Sequence, residues 1–393
     1  MKILYVGTVL DSNWSGGEPV VATTTISMLK NKGYEVIGAY YKSKLGRFLN
    51  KIIGTIRAYF WISDTFIFPY LYYRKIIDEY SPDLIIAQYD FDSSIIKASI
   101  KQGKKIIVYI HIWWPICPKL TLFRWDDMRC TGYSNNNCRE CILNSLKSGS
   151  FLIKTYSMIG KLIINDTKLH KKMDNRIKFL NSPSVSIVVP SKKMKDYLVR
   201  EGIYQDKIYI IPNSINCNEF LPSELKEKIV GYYGGESHIK GYKIFFKLAQ
   251  IIKSIYPEVR FVATGNFKDK SEYVEFVGLL KRDELKRLIS KSRCTVVPGV
   301  WEDPFPLITL ESMASGVPVV AFDVGSFKNI ILNGETGFIV PNGAIDEMAK
   351  KIIEILRDDT LFSKLSNNSR RRACEEFSES KRISSFCEVI ENK

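Results

Sequence analysis

The sequence predicts an α/β fold of two doubly wound domains, and three observations predict it. Short apolar runs rich in Ile and Val alternate with helix-length stretches, the pattern of parallel strands covered by helices. That rhythm stops at a polar connection, Asn213–Lys228, which contains Pro222, and then begins again. At 393 residues the chain also exceeds what one core comfortably holds. Two Rossmann-like domains facing across a cleft satisfy all three, the first over 1–222 and the second over 223–377.

The strands follow in order. Six runs fit the first domain: Ile3–Gly7, Glu35–Ala39, Leu84–Gln88, Lys105–Ile110, Ser186–Val189 and Lys207–Ile211. Six more fit the second: Ile229–Tyr233, Val259–Thr264, Val274–Val277, Thr295–Val297, Pro318–Ala321 and Gly337–Val340. Most are continuously apolar, as strands buried on both faces must be.

The most informative segment runs from Val300 to Pro341. Asp303 and Glu311 stand eight residues apart, with Pro304-Phe305-Pro306 between them. Pro is tolerated in a helix's first turn, and Gly ends helices, so the spacing predicts a helix from near Pro306 to Gly316. Asp303 then precedes the helix and Glu311 lies about five residues inside it. The N–H groups that a helix leaves unpaired at its start suit a phosphate, and carboxylates beside them suit sugar hydroxyls. Phosphate plus polyol describes a nucleotide sugar.

This segment resembles the E-x7-E signature of the retaining glycosyltransferases of family 4. Glu311, Met313, Ala314, Gly316, Pro318, Val319 and Val320 match in order, as does Asn333-Gly334-Glu335-Thr336-Gly337-Phe338. The resemblance implies the GT-B architecture over nearly the whole chain, with the C-terminal helix, about 378–393, packing back on the first domain. It also implies that Glu311 holds the ribose of a UDP- or GDP-sugar (an ADP-sugar less so) and that Asp303 contacts the transferred sugar. The backbone across Phe305, Pro306, Leu307 and Ile308 would hold the diphosphate. The chain departs from the family with Asp303 for the usual Glu and Pro306 where many members have Gly.

Two further loops fit the same reading. Gly16-Gly17 precedes a helical run, where the lack of Cβ lets backbone approach a ligand closely. Its position resembles the family's N-terminal glycine loop. In the second half, Tyr233 to Gly241 follows a strand and ends in Lys240-Gly241, which matches the family's Lys-Gly. Gly235 occupies the place of the family's Arg, so a bidentate clamp on the diphosphate is lost: either another cation such as nearby Lys243 substitutes, or the diphosphate is held less firmly, with Lys240 as a point charge. His111 follows the strand Lys105–Ile110, at the end where open α/β sheets bind ligands. The resemblance makes it a contact for the donor sugar. Catalysis is thus expected from His111, Lys240, Asp303 and Glu311. No catalytic metal is expected, because the lysine and the helix dipole supply the positive charge.

Four of the eight cysteines cluster: Cys117, Cys130, Cys138 and Cys141, the last two as C-x2-C. Such spacing predicts a structural zinc site or, where intracellular disulfides are kept, disulfides, with free buried thiols as the remaining alternative. A similar insertion occurs in a subset of the family. Cys217, Cys294, Cys374 and Cys387 read as scattered packing residues.

The charge is uneven. The net charge is +15, and residues 101–200 hold 19 Lys+Arg against 6 Asp+Glu. Residues 44–57 space cations around an apolar helical face (Leu45, Phe48, Leu49, Ile52, Ile53, Ile56), and a second basic stretch runs from Lys147 to Lys172. Either suits an anionic membrane surface or simply a helix packed on its own domain. No secretory leader and no apolar run of about 18–20 residues is visible, so a cytoplasmic protein, peripheral on a membrane at most, is expected. Nucleic-acid motifs are absent. The expected activity is transfer of a hexose from a nucleoside diphosphate sugar, with retention, to a glycan or lipid-linked acceptor. The rival readings are a non-catalytic binding protein for membranes or polyanions, and a nucleotide-sugar epimerase or phosphorylase.

Overall fold

The computed structural model describes residues 1–7, 17–39, 67–88, 93–133, 137–147, 165–224 and 226–391. Gly16 and the basic stretch 44–57 lie outside the described residues, as does most of the Lys147–Lys172 stretch.

The described chain forms two compact units, Met1–Ile211 with Ser385–Lys393, and Pro212–Ser384. The first holds six parallel strands in the order β2-β1-β3-β4-β5-β6. These are β1 (Lys2–Val6), β2 (Glu35–Ala39), β3 (Leu84–Ala87), β4 (Lys105–Tyr109), β5 (Val185–Val189) and β6 (Ile208–Ile210). Helices α1 (Gly17–Asn31), α2 (Ile67–Tyr80), α3 (Ser94–Lys101), α4 (Cys138–Lys147), α5 (Asp166–Leu180) and α6 (Lys192–Arg200) alternate with them. Every residue of β3 and β5 is buried, as two covered faces require. Helix α6 starts at Ser191, whose hydroxyl accepts the Met194 N–H and so satisfies one orphan donor of the first turn.

The second unit repeats the plan in the order β12-β11-β10-β7-β8-β9, again wholly parallel. Its strands are β7 (Ile229–Tyr232), β8 (Arg260–Ala263), β9 (Val274–Phe276), β10 (Cys294–Val297), β11 (Val319–Phe322) and β12 (Gly337–Val340). Its helices are α7 (Tyr242–Lys253), α8 (Arg282–Lys291), α9 (Leu307–Ala314), α10 (Phe327–Ile330), α11 (Ile345–Arg357) and α12 (Asp359–Glu376). Phe245, Phe261, Leu310 and Ile352 lie in one core, each side chain of this kind contributing about 1.5–3 kcal/mol on burial. A final helix, α13 (Glu379–Glu391), enters the first unit from Ser385 onward, where buried Phe386 meets the Tyr109 ring edge-on at 5.6 Å.

All twelve expected strands form, within a residue or so of the expected bounds. The expectation of scattered packing cysteines fails for one pair. Cys217 and Cys374, 157 residues apart, form a disulfide that ties the start of the second unit to α12. Spacing along the chain carries no sign of so distant a partner. Among the described residues, no helix is long and apolar enough to cross a membrane.

Candidate active site

In the second sheet the strand order reverses between β7 and β10, because the chain winds from β7 through β8 to β9 and then returns to β10 on the other side. Loops leaving neighbouring parallel strands on opposite sides of such a point open a crevice at their C-terminal ends. Both loops that the sequence singles out leave the sheet here.

The β7 loop is shaped by glycine. Gly235 adopts φ +67°, and its carbonyl accepts the Tyr232 hydroxyl at 3.0 Å. A short 3-10 turn, His238–Lys240, ends at Gly241, which has φ +80°. A Cβ on Gly241 would lie 1.9 Å from the Pro298 carbonyl oxygen, so only glycine lets this turn seat against the segment after β10. The Val300 N–H donates to the Ile239 carbonyl at 2.9 Å and fastens the two loops. Lys240 is thereby held within electrostatic reach of Asp303.

Asp303 is half-buried just before α9. Burial pushes its carboxyl up to about 6; Lys240 and the Phe305 N–H oppose that rise. The Phe305 N–H donates to Asp303 Oδ1 at 3.1 Å, and Phe305 itself is buried against Phe377. The peptide of Asp303 is clamped as well. Its carbonyl accepts the Ser326 N–H at 3.0 Å, and buried Glu302 accepts the Gly325 N–H at 2.9 Å. Helix α9 then starts after Pro306, and Gly316 (φ +64°) follows its end. Its first turn at Leu307 and Ile308 carries N–H groups without intrahelical acceptors.

Glu311 is the fifth residue of α9, and its side chain is 16% exposed. Burial raises its carboxyl above the ordinary range, whereas Arg282 and Lys286 pull it down. Arg282 lies 3.7 Å from Glu311 and 3.8 Å from Glu219, and Lys286 bonds Glu219 at 2.8 Å. Both cations stand over the Phe220 ring, at 5.7 and 5.1 Å. Arg282 and Lys286 share one face of α8 at i and i+4. That spacing was visible in the sequence, but nothing there tied α8 to Glu311. Gly325 and Glu302 were missed for the same reason.

Lys240, Asp303, Glu311, Gly235, Phe305, Pro306, Leu307 and Ile308 all belong to the second unit, whereas Gly17 and His111 belong to the first. Gly17 is the first residue of α1. His111 follows β4, with its ring 3.7 Å from that of Tyr109. The four clustered cysteines also lie in the first unit, around a cavity of about 50 Å³. All four are free thiols, and burial pushes Cys117 up to about 11, which keeps it neutral. Among the described residues no three Cys, His, Asp or Glu side chains converge as a metal ion requires. The four cysteines, expected to hold a structural metal or to pair as disulfides, line one cavity as free thiols.

Comparison with known proteins gives two family matches. The profile described as Glycosyltransferase Family 4 matches residues 15–219, and that of Glycosyl transferases group 1 matches residues 217–372. An uncharacterised glycosyltransferase of Methanocaldococcus jannaschii is 27% identical over 249 residues, 56% of this chain and 62% of that protein's own length. Among solved structures, sucrose-phosphate synthase of Thermosynechococcus elongatus superposes with a TM-score of 0.66 at 18% identity, covering 100% of this chain and 98% of that one. HepE of Anabaena, solved in complex with UDP-glucose, gives a TM-score of 0.67 at 15% identity and covers both chains fully.

Proposed function

This chain belongs to Glycosyltransferase Family 4, and on that footing we propose that it moves a hexose from a nucleoside diphosphate sugar to a hydroxyl of a glycan or lipid-linked acceptor, with retention at the anomeric carbon. One observation carries the reading: at the switch point of the second sheet, beside the opening turn of α9, Lys240 lies within electrostatic reach of Asp303.

In this reading the donor diphosphate lies against the first N–H groups of α9 and against Lys240. Together they neutralise the charge that grows on the leaving group, the largest electrostatic demand of the reaction. Asp303, ionised above about pH 6, accepts hydrogen bonds from hydroxyls of the transferred sugar and orients it. Glu311 accepts from the ribose. As the bond from the anomeric carbon to the β-phosphate oxygen breaks, the sugar becomes oxocarbenium-like and the acceptor oxygen attacks from the same face. The acceptor's proton passes to the departing diphosphate. Rate enhancement comes mainly from positioning.

A UDP-sugar is the first donor to try, since the fold neighbour HepE was solved with UDP-glucose; a GDP-sugar is the second. The test is a thermal-shift screen with UDP, GDP, ADP and their sugars. One base class should raise the melting temperature, and Glu311→Ala should weaken that effect. A melting temperature unmoved by every nucleotide would defeat the proposal and favour a non-catalytic binding role.

A further inference from the structure

Glu311 sits where a carboxylate is poorly hydrated, and it accepts no hydrogen bond from the described residues. A buried carboxylate in that position needs a counter-charge. Its nearest cation is Arg282, at 3.7 Å, too far for a hydrogen bond yet near enough for strong attraction. The separation is built in. Glu219 draws the other guanidinium nitrogen at 3.8 Å, and the Phe220 ring lies 5.7 Å from the guanidinium carbon. Glu219 is itself anchored by Lys286 at 2.8 Å and follows Cys217, which is bonded to Cys374. Four charges thus alternate in sign: Glu311, Arg282, Glu219, Lys286.

We propose that Arg282 is a positioning residue for Glu311, supplying its counter-charge from a restrained distance so that both carboxylate oxygens stay open to the two ribose hydroxyls. The proposal rests on the reading of Glu311 as the ribose acid. A direct, bidentate Arg–Glu pair would occupy the same oxygens that a diol must reach. Among the described residues, the other elements packed around Glu311 add no further ion pair to it. On α12, Arg370 is tied to the carbonyls of Phe220 and Ala314, and β10 and β11 bring no charged residue. On α8, Asp283 pairs with Lys286 at 3.7 Å.

Calorimetric titration with UDP and GDP, and with their 2′,3′-dideoxy analogues, between pH 5 and 9 tests this. Arg282→Met keeps an apolar stem over Phe220 and removes the charge. In that variant, ribonucleotide affinity at pH 7.5 should fall about tenfold, and the pH at which binding is half lost on acidification should rise by about one unit. Dideoxynucleotide affinity should hold, and Arg282→Lys should restore most of both effects. An unchanged pH midpoint together with an unchanged ribo-to-dideoxy ratio in Arg282→Met would overturn the proposal. The parent reading fails separately: if Glu311→Ala leaves the ribo-to-dideoxy ratio unchanged, Glu311 does not bind ribose at all.

Discussion

Gly325 lies so close to Asp303 that a Cβ on it would stand 2.4 Å from the Asp303 carbonyl oxygen and 2.6 Å from its nitrogen. The loop after β11 therefore fixes the backbone of the acid assigned to the transferred sugar. Gly325 also has φ +52°, which costs any larger residue about 1 kcal/mol before the clash is counted. Gly325→Ala should destabilise the second unit by about 2–3 kcal/mol and reduce donor turnover about a hundredfold. Urea unfolding and steady-state rates on the same preparation check both.

The Asp303 carboxyl, raised to about 6, makes two linked predictions. If the ionised form orients the sugar, turnover falls as the pH drops through about 6. Because protonation is easier in the folded state, ionised Asp303 opposes folding above that pH. Asp303→Asn should therefore abolish turnover yet raise stability at pH 8 by about 1–2 kcal/mol, a gain that fades between pH 6 and 4. Thermal melts of the two proteins across this range decide it; a gain at pH 8 that persists below pH 4 would point to some other cause.

The Cys217–Cys374 bond closes a loop across most of the second unit. Reduction, or Cys374→Ser, should lower stability by about 2–5 kcal/mol. Peptide mapping without reductant should recover the linked pair, and melts with and without dithiothreitol measure its contribution.

Much of this was legible beforehand, for physical reasons. Each strand is a short apolar run between polar turns, so Ile229–Tyr232 or Val319–Phe322 announces itself locally. Asp303 and Glu311 were visible together because one loop-helix segment carries both, and Pro306 and Gly316 mark the ends of that helix. What the sequence hid depends on tertiary contact. Arg282 reaches Glu311 only because α8 packs beside α9, and Gly325 meets Asp303 only because β10 and β11 are neighbours. The cysteine spacing pointed to a structural metal or disulfides; that the four side chains line one cavity is set by loop geometry that spacing does not encode.

The most direct test of the central claim is release of nucleoside diphosphate from a panel of UDP- and GDP-sugars by the wild-type protein and by Lys240→Ala. We expect one donor class to be turned over and the variant to lose about 10²–10³-fold in rate, as when a charge-stabilising donor is removed from other active sites. Turnover in Lys240→Ala equal to wild type, or no turnover of any donor by wild type, would contradict the assignment of the leaving-group site to the Lys240–Asp303 crevice.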